Sequence, residues 1–225
     1  MSHRRTLPAL AAAAAATVLL AGCGGGGGGE KDDTIAGAQE PSHTATPSPD
    51  ATEDGIERPD MTLPKDLKLV FDDWTTSAGP EGEAALRDAA NYVRSIAHGI
   101  VKQDASDSAY LTYSVPLEQA QSYAKNQIEQ YIEGGWTLTG TDRYYRPEVR
   151  VAEEKTRAAV IFCEDQSDVY GKDVESGEVL RDEEAGEGEA ENYVSYEIVM
   201  QQSEKSTLWQ AHSLVVRGKA DECRD

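Results

Sequence analysis

The residues able to do chemistry are few and widely spaced. Three are cysteines: Cys23, Cys163 and Cys223. Cys23 follows Leu19-Leu20-Ala21-Gly22, a small apolar run that sets a nucleophilic thiol at the end of a greasy segment. Cys163 and Cys223 are left as an even pair, which in an oxidising compartment reads as a disulfide. The bridge would close a loop of about 60 residues and contribute roughly 4 kcal/mol in the chain-entropy picture. The alternative is two free thiols. Trp136, Tyr144, Tyr145, Tyr196 and Trp209 carry large contact area, either as sheet aromatics or as the lining of a pocket for an apolar or sugar-like ligand. His212 alternates with Gln210, Leu214 and Val216, and histidine is a general base near neutral pH. Asp165 has no assignable partner and reads as a loop carboxylate. No serine stands in a nucleophile elbow, no Gly-rich loop follows a strand, and no metal-ligand spacing occurs. No catalytic residue, cofactor or metal is therefore assigned.

The elements that must position these residues begin with a leader. His3, Arg4 and Arg5 precede an alanine-rich apolar run from Leu7 to Ala21. That run is too short to cross a bilayer, which takes about 20 apolar residues. A basic start, a short apolar run and small residues before the cut describe a secretory signal peptide. Leu20-Ala21-Gly22-Cys23 resembles the bacterial lipoprotein consensus at each position. The resemblance implies cleavage before Cys23, acylation of its sulfur (diacylglyceryl, palmitate-type chains) and residence on the extracytoplasmic face of the membrane. Two acyl chains anchor stably where one does not. The Arg4-Arg5 pair leaves twin-arginine and general secretory export both open.

Six glycines follow, Gly24 to Gly29, and then Gly, Thr, Ser, Pro, Ala and acidic residues to about Asp60. Such a stretch cannot bury enough surface to offset its ordering entropy. The expected organisation is thus a leader over 1–22, a lipidated cysteine and disordered tether over 23–62, and one extracellular domain over 63–225. The chain holds 21 Lys and Arg against 41 Asp and Glu, a net charge of −20. That balance repels nucleic acid and anionic headgroups. The expected partners are the membrane, through the lipid, and an unassigned protein or small molecule.

Within the domain, Leu67, Leu69 and Phe71 alternate as a short extended segment. Gly79-Pro80 and the acids Glu81 and Glu83 open a helix whose apolar face is Leu86, Ala89, Ala90, Val93, Ile96, Ala97 and Ile100. Ser108 to Tyr113 reads as a turn or short helix. Val115-Pro116 opens a further helix with Leu117, Ala120, Ala124, Ile128, Tyr131 and Ile132 facing inward, stopped at Gly134-Gly135. Strand patterns follow at 136–145, 148–152, 158–163, 192–201 and 208–217, with Pro147 interrupting the first two. The stretch 175–191, mostly Glu, Asp and Gly, lacks the spacing of a calcium loop and reads as a solvated excursion. Helices followed by consecutive strands predict an α+β fold, helices packed on one face of a curved antiparallel sheet.

A helix pair followed by such a sheet, with Trp209 opening the last long strand, resembles the cone-shaped fold of ketosteroid isomerases, SnoaL-type cyclases and nuclear transport factor two. The chain is also similar to uncharacterised lipoproteins of high-GC Gram-positive bacteria. The stretches that carry this are 140–147 (Gly-Thr-Asp-Arg-Tyr-Tyr-Arg-Pro), 163–167 (Cys-Glu-Asp-Gln-Ser) and the terminal Cys223. The resemblance implies a cone able to enclose an apolar pocket. It transfers no catalytic residue, because no stretch matches the isomerases' motif. The expected function is a lipid-anchored domain that binds a ligand or partner. The alternative is a pocket enzyme of isomerase or cyclase type acting on a small apolar substrate, with His212 or a carboxylate as base.

Overall fold

The computed structural model describes residues 56–181 and 190–224. The expected leader, Cys23, most of the expected tether and the centre of the acidic stretch lie outside the described residues. The elements in chain order are β1 (Leu67–Phe71), α1 (Gly79–Lys102), α2 (Ser108–Tyr113), α3 (Gln119–Gly134), β2 (Trp136–Val151), β3 (Arg157–Asp173), β4 (Val179–Leu180), β5 (Tyr193–Gln202) and β6 (Trp209–Gly218). Short 3-10 turns lie at 190–192 and 221–223.

The helices begin and end where the backbone demands it. Pro80 lies in the first turn of α1, where its missing N–H costs nothing. Gln103 caps the other end in the left-handed region, its amide donating to Ile100 O (2.7 Å) and Trp136 O (2.8 Å). Gly135, at φ 73°, closes α3. α3 starts later than the apolar spacing predicts. Leu117 has a positive φ and is 94% exposed, so it belongs to the preceding turn and not to the inward face.

The sheet runs β1-β2-β3-β5-β6, with β4 paired to β3. β2 to β6 pair antiparallel, as the strand succession predicts. β1 is the exception and lies parallel to β2. Three helices separate the two strands in sequence, and such a crossover returns the chain in the same direction. Pro147 does not end a strand. β2 continues through it by a bulge, with Arg146 at φ 52° and a register shift between Tyr145 and Glu148.

α1 and α3 cover one sheet face. Leu86, Ala89 and Ile100 of α1 and Ala124 and Ile128 of α3 meet Val160, Phe162, Ile198, Met200 and Trp209 in one core. Residues 56–62 lie against it as well. Met61 is buried, and Arg58 donates to Oδ1 of the fully buried Asp88 at 2.9 Å. Asp88 Oδ2 accepts from the Trp209 backbone N–H at 3.0 Å. One carboxylate thus ties the entering chain, α1 and β6 together. On the opposite face, Cys163 and Cys223 form a disulfide with Cα atoms 5.5 Å apart. Tyr145, Ala220 and Tyr193 pack around it.

Candidate functional site

The space between the helices and the sheet is not filled. Between α1, α3 and the sheet lies a cavity of about 590 Å³. Its lining runs from the buried Tyr92, Asp142, Tyr144 and Glu164 to the exposed Leu180 and Arg181. Strand alternation decides what faces it. On β3 the inward positions Val160 and Phe162 are followed by Glu164, while Cys163 points to the disulfide side. On β2 Asp142 and Tyr144 occupy successive inward positions, and Tyr144 pairs in register with Glu164. Between the Thr141–Asp168 and Arg143–Asp165 pairs, β3 carries one residue more than β2. This bulge sets Gln166 and Ser167 opposite Asp142, and all three line the cavity.

The result is a buried acid pair. Asp142 is 6% exposed and Glu164 3%. The Tyr144 hydroxyl donates to Asp142 Oδ2 at 2.6 Å and lies 3.1 Å from Glu164 Oε1. Gln166 and Tyr196 make further polar contact with Glu164. Asp142 Oδ1 and Glu164 Oε2 are buried and receive no donor from the described residues. The two carboxyls can bond each other only when one carries a proton. Burial is the leading cause that pushes the Asp142 carboxyl well above its ordinary 3.8, and the neighbouring Glu164 charge adds to it. Burial also raises Glu164, against the hydrogen bonds from Asp142, Gln166, Tyr144 and Tyr196 that favour its charged form. The two carboxyls stand in unlike environments, Glu164 having more hydrogen bonds to its charged form than Asp142, and they titrate as one coupled pair raised chiefly by burial. Burial likewise pushes the Tyr144 and Tyr196 hydroxyls well above their ordinary range, so both stay neutral donors.

Of the aromatics read from sequence, Tyr144 and Tyr196 line the cavity. Tyr196 stacks on Phe162, ring centroids 4.9 Å apart, and Tyr144 stacks on Phe71 at the same distance. The other candidates lie elsewhere. Tyr145 is on the disulfide face, donates to Cys223 O, and has the Arg143 and Arg146 guanidiniums over its ring at 5.5 Å. Trp209 is wholly within the core. Trp136 is 46% exposed beside Gly134. His212 stands outside the cavity, 3.7 Å from Glu118. A bulge is the reason. Val199 pairs with Ser213 and Met200 with Ala211, so His212 is the extra residue and the alternation of β6 breaks there. Gln210 donates to Thr112 O and Ser114 O and serves as a brace. Asp165 is a strand residue, not a loop carboxylate, and accepts from Ser167 N and Oγ.

Asp142 and Glu164 were not singled out by sequence reasoning. A signal was present: Val160, Phe162 and Glu164 continue one alternation, and a carboxylate on the buried face of a strand is unusual.

This chain is similar in fold to several solved structures. A ketosteroid isomerase-like protein from Erwinia carotovora atroseptica matches at 13% identity, over 61% of this chain and 95% of that one, with a TM-score of 0.38. An NTF2-like protein of unknown function from Rhodospirillum rubrum matches at 13% identity, over 57% and 96%, with a TM-score of 0.36. A calcium/calmodulin dependent protein kinase II association domain from Xanthomonas campestris matches at 9% identity, over 66% and 97%, with a TM-score of 0.36. No protein-family model and no curated protein matches the chain.

Proposed function

We propose that this chain is a lipoprotein, anchored through Cys23 to the extracytoplasmic face of the membrane, whose domain binds a small ligand inside its cone. The observation that carries the ligand-binding reading is the open cavity with the buried, incompletely hydrogen-bonded Asp142–Glu164 pair in its lining. Buried polar atoms without partners cost free energy, and a ligand supplies the missing partners. The anchor reading rests on the leader and on Leu20-Ala21-Gly22-Cys23. The disulfide agrees with an oxidising compartment. Cys23→Ala moves the protein from the membrane fraction to the medium. Membrane retention equal to wild type overturns the anchor.

A second reading, a pocket enzyme of isomerase or cyclase type, is favoured by the acid pair itself. Two neighbouring carboxyls, both raised chiefly by burial, offer an acid and a base within one shielded site. It predicts that the protein speeds exchange of the α-protons of 2-cyclohexenone with heavy water, and that Glu164→Gln abolishes the acceleration. Exchange no faster than in buffer leaves the binding reading alone.

A further inference from the structure

The polar groups around the cavity also limit the kind of ligand, an inference that rests on the binding reading above. A tyrosine has one hydroxyl proton to give. That of Tyr144 goes to carboxylate oxygens, that of Tyr92 to Ala120 O at 2.7 Å, and that of Tyr170 to Ser167 O at 3.3 Å. The Asp142–Glu164 pair in the lining therefore stands toward a ligand as an acceptor. Any negative charge the two carboxyls carry has to be met inside the cavity. Among the described residues Arg181 is the single basic side chain lining the cavity, and its guanidinium lies over the Tyr170 ring at 4.4 Å. A buried charge without a counter-charge is costly.

A positive ligand with N–H groups supplies both missing parts. An anion meets repulsion. A carbonyl has no N–H or O–H to give the carboxyl pair. Tyr123, Tyr131 and Tyr196 line the same space, and their ring faces attract cations. The net charge of −20 draws cations to the molecule as a whole. We propose that the cavity binds an organic cation of the primary-amine class, its ammonium lying against the Asp142–Glu164 pair and its apolar body among the tyrosine rings.

The test is calorimetric titration of the full-length chain with three probes that share one ring: benzylammonium, benzyl alcohol and benzoate. Benzylammonium should bind one-to-one and at least about tenfold more tightly than benzyl alcohol. Benzoate should give no binding. The preference should survive about 1 M salt, where the screening length falls to about 3 Å and diffuse attraction to an acidic surface is lost. Glu164→Gln combined with Asp142→Asn keeps side-chain shape, takes away both carboxyls and should remove the tenfold preference while benzyl alcohol affinity holds. If that variant fails to fold, the ranking of probes on the unaltered protein still decides. Equal binding of alcohol and ammonium, or a preference that vanishes with salt, overturns the cation class and leaves the pocket standing. No binding of any probe overturns the pocket reading with it.

Discussion

At the scale of single residues, Asp142 and Glu164 set how the molecule answers to pH. Both carboxyls are raised in the folded state, chiefly by burial. In the unfolded chain they titrate near about 4. Above that, the folded state holds more protons than the unfolded one, so stability from this pair is full at acid pH and is lost as pH rises through the folded values. Exposed acids pull the other way: Asp66 is held low chiefly by its hydrogen bond from Lys172, and Glu191 by that from Lys219. The difference between wild type and Asp142→Asn isolates the pair. The melting temperature of the variant should gain on wild type steadily from about pH 4 upward, and melting curves that stay parallel across that range would disprove the assignment. Asp88 behaves differently. Its partners Arg58, Asn91 and Trp209 N leave it fully engaged. Asp88→Ala takes the carboxylate away from a buried guanidinium and leaves the Trp209 N–H without its acceptor, at an expected cost of about 3–5 kcal/mol in urea unfolding.

At the scale of elements, the pocket depends on how β2 and β3 bend. Gly140 has φ 101°, and its amide donates to Asp66 O at 2.7 Å. A Cβ at this position would lie 2.1 Å from Asp168 O of the paired strand. Gly140→Ala therefore meets both backbone strain and a fixed carbonyl. It should cost upwards of about 2 kcal/mol and lower ligand uptake, because Asp168 is part of the lining. A full wild-type denaturation midpoint in this variant would show that the strands separate freely. The disulfide restrains the other side of the same strand. Cys163 directly precedes Glu164, and Tyr145 and Arg146 of β2 bond the carbonyls of Cys223 and Glu222. Replacing both cysteines by serine should cost about 2–5 kcal/mol, read as a lower midpoint with unchanged far-ultraviolet dichroism.

At the scale of the whole molecule, much of the architecture is legible in the chain. The apolar spacing of 86–100 marks α1, the Gly134-Gly135 stop marks the end of α3, and the alternation of 194–200 marks β5. These signals are local: they follow from helix and strand periods and from the left-handed region that glycine tolerates. The site was less legible. Tyr144 and Tyr196 could be read as pocket candidates. Tyr145 and Trp209 were placed with them on aromatic contact area alone, whereas alternation sets Tyr145 on the face opposite Tyr144 and burial takes Trp209 into the core; His212 was placed by period two, and the bulge there shifts its face. A cleaved leader and an acylated Cys23 would set this domain outside the cell, where the Cys163–Cys223 bridge persists. The fractionation of Cys23→Ala is the measurement proper to that scale.

Composition and order along the chain by themselves determined the helix and strand types, the even cysteine remainder and the strong negative charge, since each depends only on neighbouring residues or on counting. The tertiary structure alone decided that Asp142 and Glu164, 22 positions apart, share one buried site. It alone decided that β1 runs parallel and that the cone stays open. Register, bulges and burial arise from contacts between distant segments, and no local period encodes which carboxylate will be taken out of water.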